Sequence, residues 1–318
     1  MSRDLDASVV ILSYDRVHLL ERTLTACLAD RTADALAWEI IVVDNHAGKL
    51  AERLVARLAQ VAPAPITYLS DARRNVSIVR NLGVAKARGR YVAFIDDDEA
   101  PETGWLKALV TTLDRTGADA AFGPKYPEFE DGAAPAWNRD GWRYTLDMQM
   151  GRDEPIHMFG RLRKRGKGLG SGNAAFRVAT CFDTPEPFSV AFGDGNGEDT
   201  HLLFRLALTG KRFVWAPTAR VLEFIEKDRA KPSYMITRMR RGSQHYAASR
   251  IATSDAKLFT QIRVALLGLA QFGVHAGLYA VSAEWLRRNN FDHRIGMAKG
   301  LGKLTWRAPI GFIDEKAA

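Results

Sequence analysis

The feature that most constrains this chain is the stretch Arg90-Tyr-Val-Ala-Phe-Ile-Asp-Asp-Asp98. Tyr91 to Ile95 is aromatic, β-branched and apolar, with no turn residue, which predicts a buried parallel strand. Three carboxylates follow at once, Asp96, Asp97 and Asp98, and then Glu99-Ala100-Pro101. The strand thus delivers acid to the carboxyl edge of a sheet, where open α/β folds bind ligands. Three adjacent carboxylates repel one another, and a divalent cation removes the conflict. Mg²⁺ commonly takes one or two carboxylates plus substrate phosphates. The stretch therefore points to a metal-diphosphate site, with a solvated acidic turn as the alternative.

The flanking sequence supports a parallel sheet. Ser8 to Leu12 is a short apolar run, followed by the turn Ser13-Tyr14-Asp15-Arg16. Leu19, Leu20, Thr23, Leu24 and Cys27 then recur at helical spacing. A second strand is expected at Glu39 to Val43, ending in Asp44-Asn45, with a helix running on to about Val61. A third strand is expected at Ile66 to Leu69, and a helix over Asn75 to Ala87 that ends before Gly89. This alternation, with short connections, predicts an α/β fold with helices on both faces of a mostly parallel sheet.

The second half is less regular. Asp119 to Phe122 and Phe213 to Ala216 read as strands, and the segment from Gly170 to Arg177 turns into one. Between them, Asp131 to Gly168 has no clear period. It contains Arg161-Leu-Arg-Lys-Arg-Gly-Lys167, either a solvated loop or a clamp for phosphates. Glu198-Asp199 opens a helix marked by Leu202, Leu203 and Leu206. From Lys227 to Arg250 there are seven Lys or Arg against one Asp. There Arg238, Arg241 and His245 share one helix face. Val264 to Val281 is apolar but broken by Gln271 and His275, so it is either a core helix or one lying in a membrane interface, with a spanning helix as the third choice. The expected division is a catalytic domain over 1–225 and a basic helical region over 226–318.

With 318 residues and a formal charge of +8, the chain is globular material suited to a phosphate-bearing substrate, another polyanion or an anionic membrane face. The polar start, Met1 to Ala7, does not read as a signal peptide. Two lone cysteines, Cys27 and Cys181, form no metal motif.

Five segments occur in order: Val9 to Arg16, Val42 to Asp44, Val79 to Asn81, Phe94 to Asp98 and Gly197 to Asp199. Together they resemble the family 2 glycosyltransferases, inverting enzymes with a GT-A nucleotide-sugar fold. Phe122-Gly-Pro124 and Gly170 to Arg177 look most like the bacterial exopolysaccharide glucosyltransferases of the succinoglycan type. The resemblance implies a UDP-sugar donor, Mn²⁺ or Mg²⁺, and a lipid-linked saccharide acceptor. It also implies a cytoplasmic enzyme at the inner face of the plasma membrane, with no nucleic-acid partner. Ser13, Asp15, Arg16, Asp44, Arg80, Asp96 and Asp97 would bind the nucleotide-sugar, and Arg238 and Arg241 its diphosphate from the far side. Asp98 and Asp96 would hold the metal. Asp199 would be the general base and Glu198 would hold acceptor hydroxyls. Glu223 lies near the place where many relatives carry a His. The rival readings are a nucleotidyltransferase, which normally has a Gly-rich loop after strand one, and a nucleotide-sugar or nucleic-acid binding protein without transfer.

Overall fold

A computed structural model describes residues 4–159, 168–195, 197–285 and 290–310. The basic segment 161–167, read as a solvated loop or a phosphate clamp, lies outside the described residues. In chain order the strands and helices are β1 (Leu5–Ser13), α1 (Val17–Ala29), β2 (Trp38–Asp44), α2 (Glu52–Ala59), β3 (Ile66–Ser70), α3 (Val76–Lys86) and β4 (Gly89–Asp96). There follow β5 (Glu99–Pro101), α4 (Trp105–Thr116), β6 (Ala120–Phe122), β7 (Lys125–Phe129), β8 (Pro155–Ile156), β9 (Ala174–Arg177) and α5 (Val178–Cys181). The chain continues through α6 (Glu198–Leu208), β10 (Phe213–Trp215), β11 (Val221–Ile225), α7 (Pro232–Ala252), α8 (Lys257–Trp285) and α9 (Asn290–Leu304).

The large sheet has the order β3-β2-β1-β4-β9-β6-β10-β8. Six of its strands run parallel, while β9, between β4 and β6, and the edge strand β8 run against them. The apolar runs read from the sequence divide by alternation, as strand pleating requires. Val9, Ile11, Ile40, Val42, Ala93 and Ile95 face one layer, where Leu20 and Leu24 of α1 and Leu109 and Leu113 of α4 cover them. Val10, Ile41, Val43, Val92 and Phe94 face the other layer, under Val79 of α3 and Leu202, Leu203 and Leu206 of α6. Phe94 meets Phe188 edge to face at 5.6 Å between ring centroids. Each fully buried side chain of this size contributes about 1.5–3 kcal/mol. The result is the expected mostly parallel sheet covered on both faces, with helices at the C-terminal end.

A second, three-stranded sheet, β5-β11-β7, does not follow from the sequence pattern. In it Glu223 of β11 stands opposite Glu99 of β5. Lys125 of β7 joins from the other side, through the parallel pairing of β11 with β7. This small sheet closes the end of β4 at which the three aspartates emerge.

Asn173 holds the two sheets in register. Its Nδ2 donates to the carbonyls of Pro124 at 2.8 Å and Ala219 at 2.9 Å, and its Oδ1 accepts from Trp105 Nε1 at 2.7 Å. Its φ of +54° lies in the left-handed region, where Asn is among the few residues tolerated.

The apolar segment expected at 264–281 lies within the longer α8. It is not a core helix. Leu258, Phe259, Ile262, Leu266, Leu267, Leu269, Val274, Leu278 and Val281 are exposed. Lys257–Ser282 is the one stretch among the described residues long and apolar enough to cross a membrane.

Candidate active site

The two sheets and α7 enclose a cleft of about 2010 Å³. Ser13, Arg16, Arg80, Asp96, Asp97, Asp98, Glu198, Asp199, Arg238 and Arg241 line it, as do Lys125, Arg229 and His245. Asp15 and Asp44 do not reach its wall. Asp15 is exposed in the turn after β1, at φ +55°. Asp44 is buried, and its carboxylate accepts from the amides of His46 at 2.8 Å and Ala51 at 2.9 Å and from Tyr68 Oη at 3.1 Å. It therefore shapes the loop after β2.

The three aspartates have three environments. Asp97 is buried and paired with Arg16, and among the described residues its Oδ2 has no hydrogen-bond partner. Burial pushes its pKa up to about 7 against Arg16, with Asp98 adding to the rise. Asp98 Oδ2 accepts from Arg16 at 2.9 Å and from Arg229 at 2.5 Å. Burial would raise its pKa, but Arg229 and then Arg16 hold it well below the usual carboxylate range. Asp96 is the open one, with its side chain 40% exposed and Lys125 Nζ at 3.6 Å. Lys125 also pairs with Glu99, and Arg229 with Glu223 at 3.1 Å. Arg229 and Lys125 are functional candidates the sequence reading missed. Arg229 sits in a basic run without distinguishing spacing, and Lys125 in a strand with no visible period.

Among the described residues no three His, Cys, Asp or Glu side chains converge into a metal cage. The donor set instead fits a metal held largely by its substrate. Asp96 offers an accessible carboxylate beside the buried, arginine-paired Asp97 and Asp98. One or two carboxylates plus phosphates suit Mg²⁺ or Mn²⁺.

On the opposite wall, Glu198 and Asp199 begin α6. Glu198 is buried, and Arg80 Nε donates to its Oε1 at 2.9 Å. Arg80 lies over the rings of Phe94 and Phe188. Burial pushes the Glu198 carboxyl up to about 7, opposed by Arg80 and reinforced by Asp199. α3 fixes the approach to this pair. Asn81 exchanges hydrogen bonds with the backbone of Phe188 at 2.8 and 2.9 Å, and Asn75 Nδ2 donates to Val190 O at 3.0 Å and Asp194 Oδ1 at 2.9 Å. The Val79-Arg-Asn81 segment thus positions the loop that carries Asp199.

Between the two walls runs Gly170-Ser-Gly172. A Cβ on Gly170 would lie 2.9 Å from Asp199 Oδ2. A Cβ on Gly172 would overlap Asp96 Oδ2 and come within 2.6 Å of Lys125 Nζ. Two absent side chains let one turn lie against both Asp96 and Asp199, whose Oδ1 accepts from the Thr200 amide at 2.5 Å.

The pattern of glycosyl transferase family 2 matches residues 8–182, more than half of the chain. The chain belongs to that family. As a family 2 glycosyltransferase it is similar to the succinoglycan biosynthesis protein ExoM of Rhizobium meliloti (strain 1021), at 28% identity over 93% of this chain and 92% of that protein. It is also similar to the glycosyltransferase AglE of Haloferax volcanii, at 25% identity over 45% of this chain and 46% of that one. Its fold is shared with S. aureus TarS 1-349 solved in complex with UDP, with a TM-score of 0.56 and 14% identity over 95% of this chain and 91% of that one. The transferase therefore has the GT-A-type architecture expected from its motifs.

Proposed function

We propose that this glycosyltransferase moves a hexose from a UDP-sugar to a lipid-linked saccharide, with inversion at the anomeric carbon, in exopolysaccharide assembly. The observation that carries the reading is the pair of cleft-lining acids on either side of Gly170–Gly172, Asp96 toward the proposed donor wall and Asp199 toward the far wall. The UDP-bound fold neighbour and the succinoglycan relative support the donor and pathway class.

The donor lies along Ser13 and Arg16 at the end of β1, near the loops shaped by Asp15 and Asp44, with its diphosphate between the acid cluster and Arg238 and Arg241. Asp96 and Asp98 would hold Mn²⁺ or Mg²⁺, which neutralises negative charge developing on the leaving diphosphate. Arg229 and Arg16 reach the same phosphates from Asp98, and Arg80 keeps Glu198 fixed. The acceptor hydroxyl approaches from the Asp199 side. Its proton passes to the Asp199 carboxylate as its oxygen bonds to the anomeric carbon. The bond from that carbon to the diphosphate breaks on the opposite face, and UDP departs with the electron pair. Proton transfer of this kind contributes about 10²- to 10⁴-fold in rate. Glu198, with one oxygen taken by Arg80, holds the acceptor side through the start of α6. The transferase works at the cytoplasmic membrane face, held there by α8 and the basic surface around it.

The reading is tested by incubating the protein with an α-linked UDP-hexose and a lipid-linked saccharide, then assigning the new linkage by NMR. A β-linked product and released UDP are expected. An α-linked product would overturn the inverting mechanism, and no transfer with any UDP-hexose would overturn the donor class.

A further inference from the structure

The cleft continues beyond Asp199 to the C-terminal helices. α9 is wedged between α7 and α8 through glycines. A Cβ on Gly300 would come within 2.7 Å of Phe272 N, one on Gly268 within 2.9 Å of Gly300 O, and one on Gly302 within 2.9 Å of Ser243 Cβ. With its glycines committed to those neighbours, α9 presents Lys299 and Lys303 to the cleft, one turn apart on one helix face.

These two lysines share the cleft with Arg238, Arg241 and Asp199. Among the described residues neither forms an ion pair. Lys303 Nζ donates to Gln271 Oε1 at 2.5 Å. Asp292, the acid that Lys299 feels, is engaged by Arg143. Burial pushes both ammonium pKa values down, with Arg143 adding to the effect at Lys299 and Lys299 at Lys303. Two half-buried cations side by side are unfavourable until an anion joins them.

The same corner carries an apolar surface. Leu266, Leu267, Leu269 and Val274 of α8 are exposed. Leu267 belongs both to this surface and to the cleft wall. A cation pair on the inner side and a hydrocarbon surface on the outer side, joined at Leu267, complement an amphiphile with an anionic head.

We propose that Lys299 and Lys303 bind the diphosphate of the lipid-linked acceptor, so that its hydrocarbon tail leaves past Leu267 along α8 and its saccharide extends toward Asp199. The inference rests on the lipid-linked acceptor reading above and assigns the residues that recognise the link between lipid and sugar.

The test is calorimetric binding of farnesyl diphosphate below its aggregation concentration. Inorganic diphosphate and farnesol serve as separate arms, with UDP as a second ligand. The parent should bind farnesyl diphosphate more tightly than either fragment. The double variant Lys299→Gln/Lys303→Gln should lose roughly tenfold or more in that affinity, as expected for two charged hydrogen-bond donors, while still binding UDP. Lys303→Arg, which keeps the charge, should stay close to the parent. Equal farnesyl diphosphate affinity in parent and double variant would overturn the assignment. So would inorganic diphosphate or farnesol binding as well as the intact amphiphile, since either fragment alone would then be the ligand. UDP binding separates the two readings: its absence in the parent sinks the donor assignment, and its presence with insensitive lysines sinks the acceptor site alone.

Discussion

Gly172 lies against Asp96 so closely that any side chain there would overlap the Asp96 carboxylate. A strand-end acid and a glycine from a distant segment together form one wall of the cleft. Gly172→Ala must turn the Asp96 carboxylate and the Lys125 ammonium away, a shift that these side-chain ends can make with the fold kept. UDP affinity measured by calorimetry should fall by about tenfold in a protein that remains folded, since the displaced carboxylate leaves the position proposed to meet the donor. Unchanged affinity would mean that Asp96 does not meet the donor.

Asp199 borders the same turn from the other side, with Oδ2 2.9 Å from where a Gly170 Cβ would lie. Asp199→Asn should lower kcat by about 10²- to 10⁴-fold and leave UDP affinity as it was. A variant that transfers at the parental rate would remove Asp199 from the role of base.

Arg229 ties Asp98, at 2.5 Å, to Glu223, at 3.1 Å, and its side chain is 14% exposed. Arg229→Ala leaves two buried acids short of a partner, which typically costs about 3–5 kcal/mol. Urea unfolding should register a loss on that scale. A loss below about 1 kcal/mol, the value of a surface pair, would show that the network is solvated.

How legible these residues were depends on local pattern. β1, β2 and β4 announce themselves because burial on both faces demands continuous apolar runs, and their carboxyl ends carried Ser13, Asp44 and Asp96 to one edge. β5, β7 and β11 were hidden. They are three to five residues long, and Glu99, Lys125 and Glu223 carry charge that only the assembled cluster compensates. Arg229 was hidden for a related reason, because its partners lie far away in the sequence, Asp98 in the turn after β4 and Glu223 in β11. Arg80 was legible as a site residue, yet its contact with Glu198 bridges 118 positions and has no local signature. α8 was visible as an apolar helix, but only packing distinguishes a covered face from a bare one.

His201 in α6 stacks on Phe192 at 4.3 Å, and its Nδ1 is buried with no hydrogen-bond partner among the described residues. Burial, and secondarily Arg205, push its pKa down to about 4. An unfolded chain titrates this group near 6.5, so the unfolded state binds more protons between those values. Stability from His201 is therefore present above about pH 6.5 and lost as pH falls toward 4. In urea titrations across that window, the parent should lose more stability than His201→Phe. Parallel curves would refute a buried neutral imidazole.

The exposed row on α8 should bind lipid. Vesicles containing anionic lipid should sediment the protein, and Leu266→Glu with Leu269→Glu should reduce the bound fraction at unchanged UDP affinity. Equal sedimentation by parent and variant would place membrane contact elsewhere.

The most direct test of the account is calorimetric titration of UDP with and without Mn²⁺ or Mg²⁺, alongside GDP, on the parent and on Asp96→Asn. The account predicts metal-dependent binding that favours UDP and is weakened in the variant. Binding of UDP and GDP alike, or UDP binding indifferent to both metal and Asp96, would contradict it.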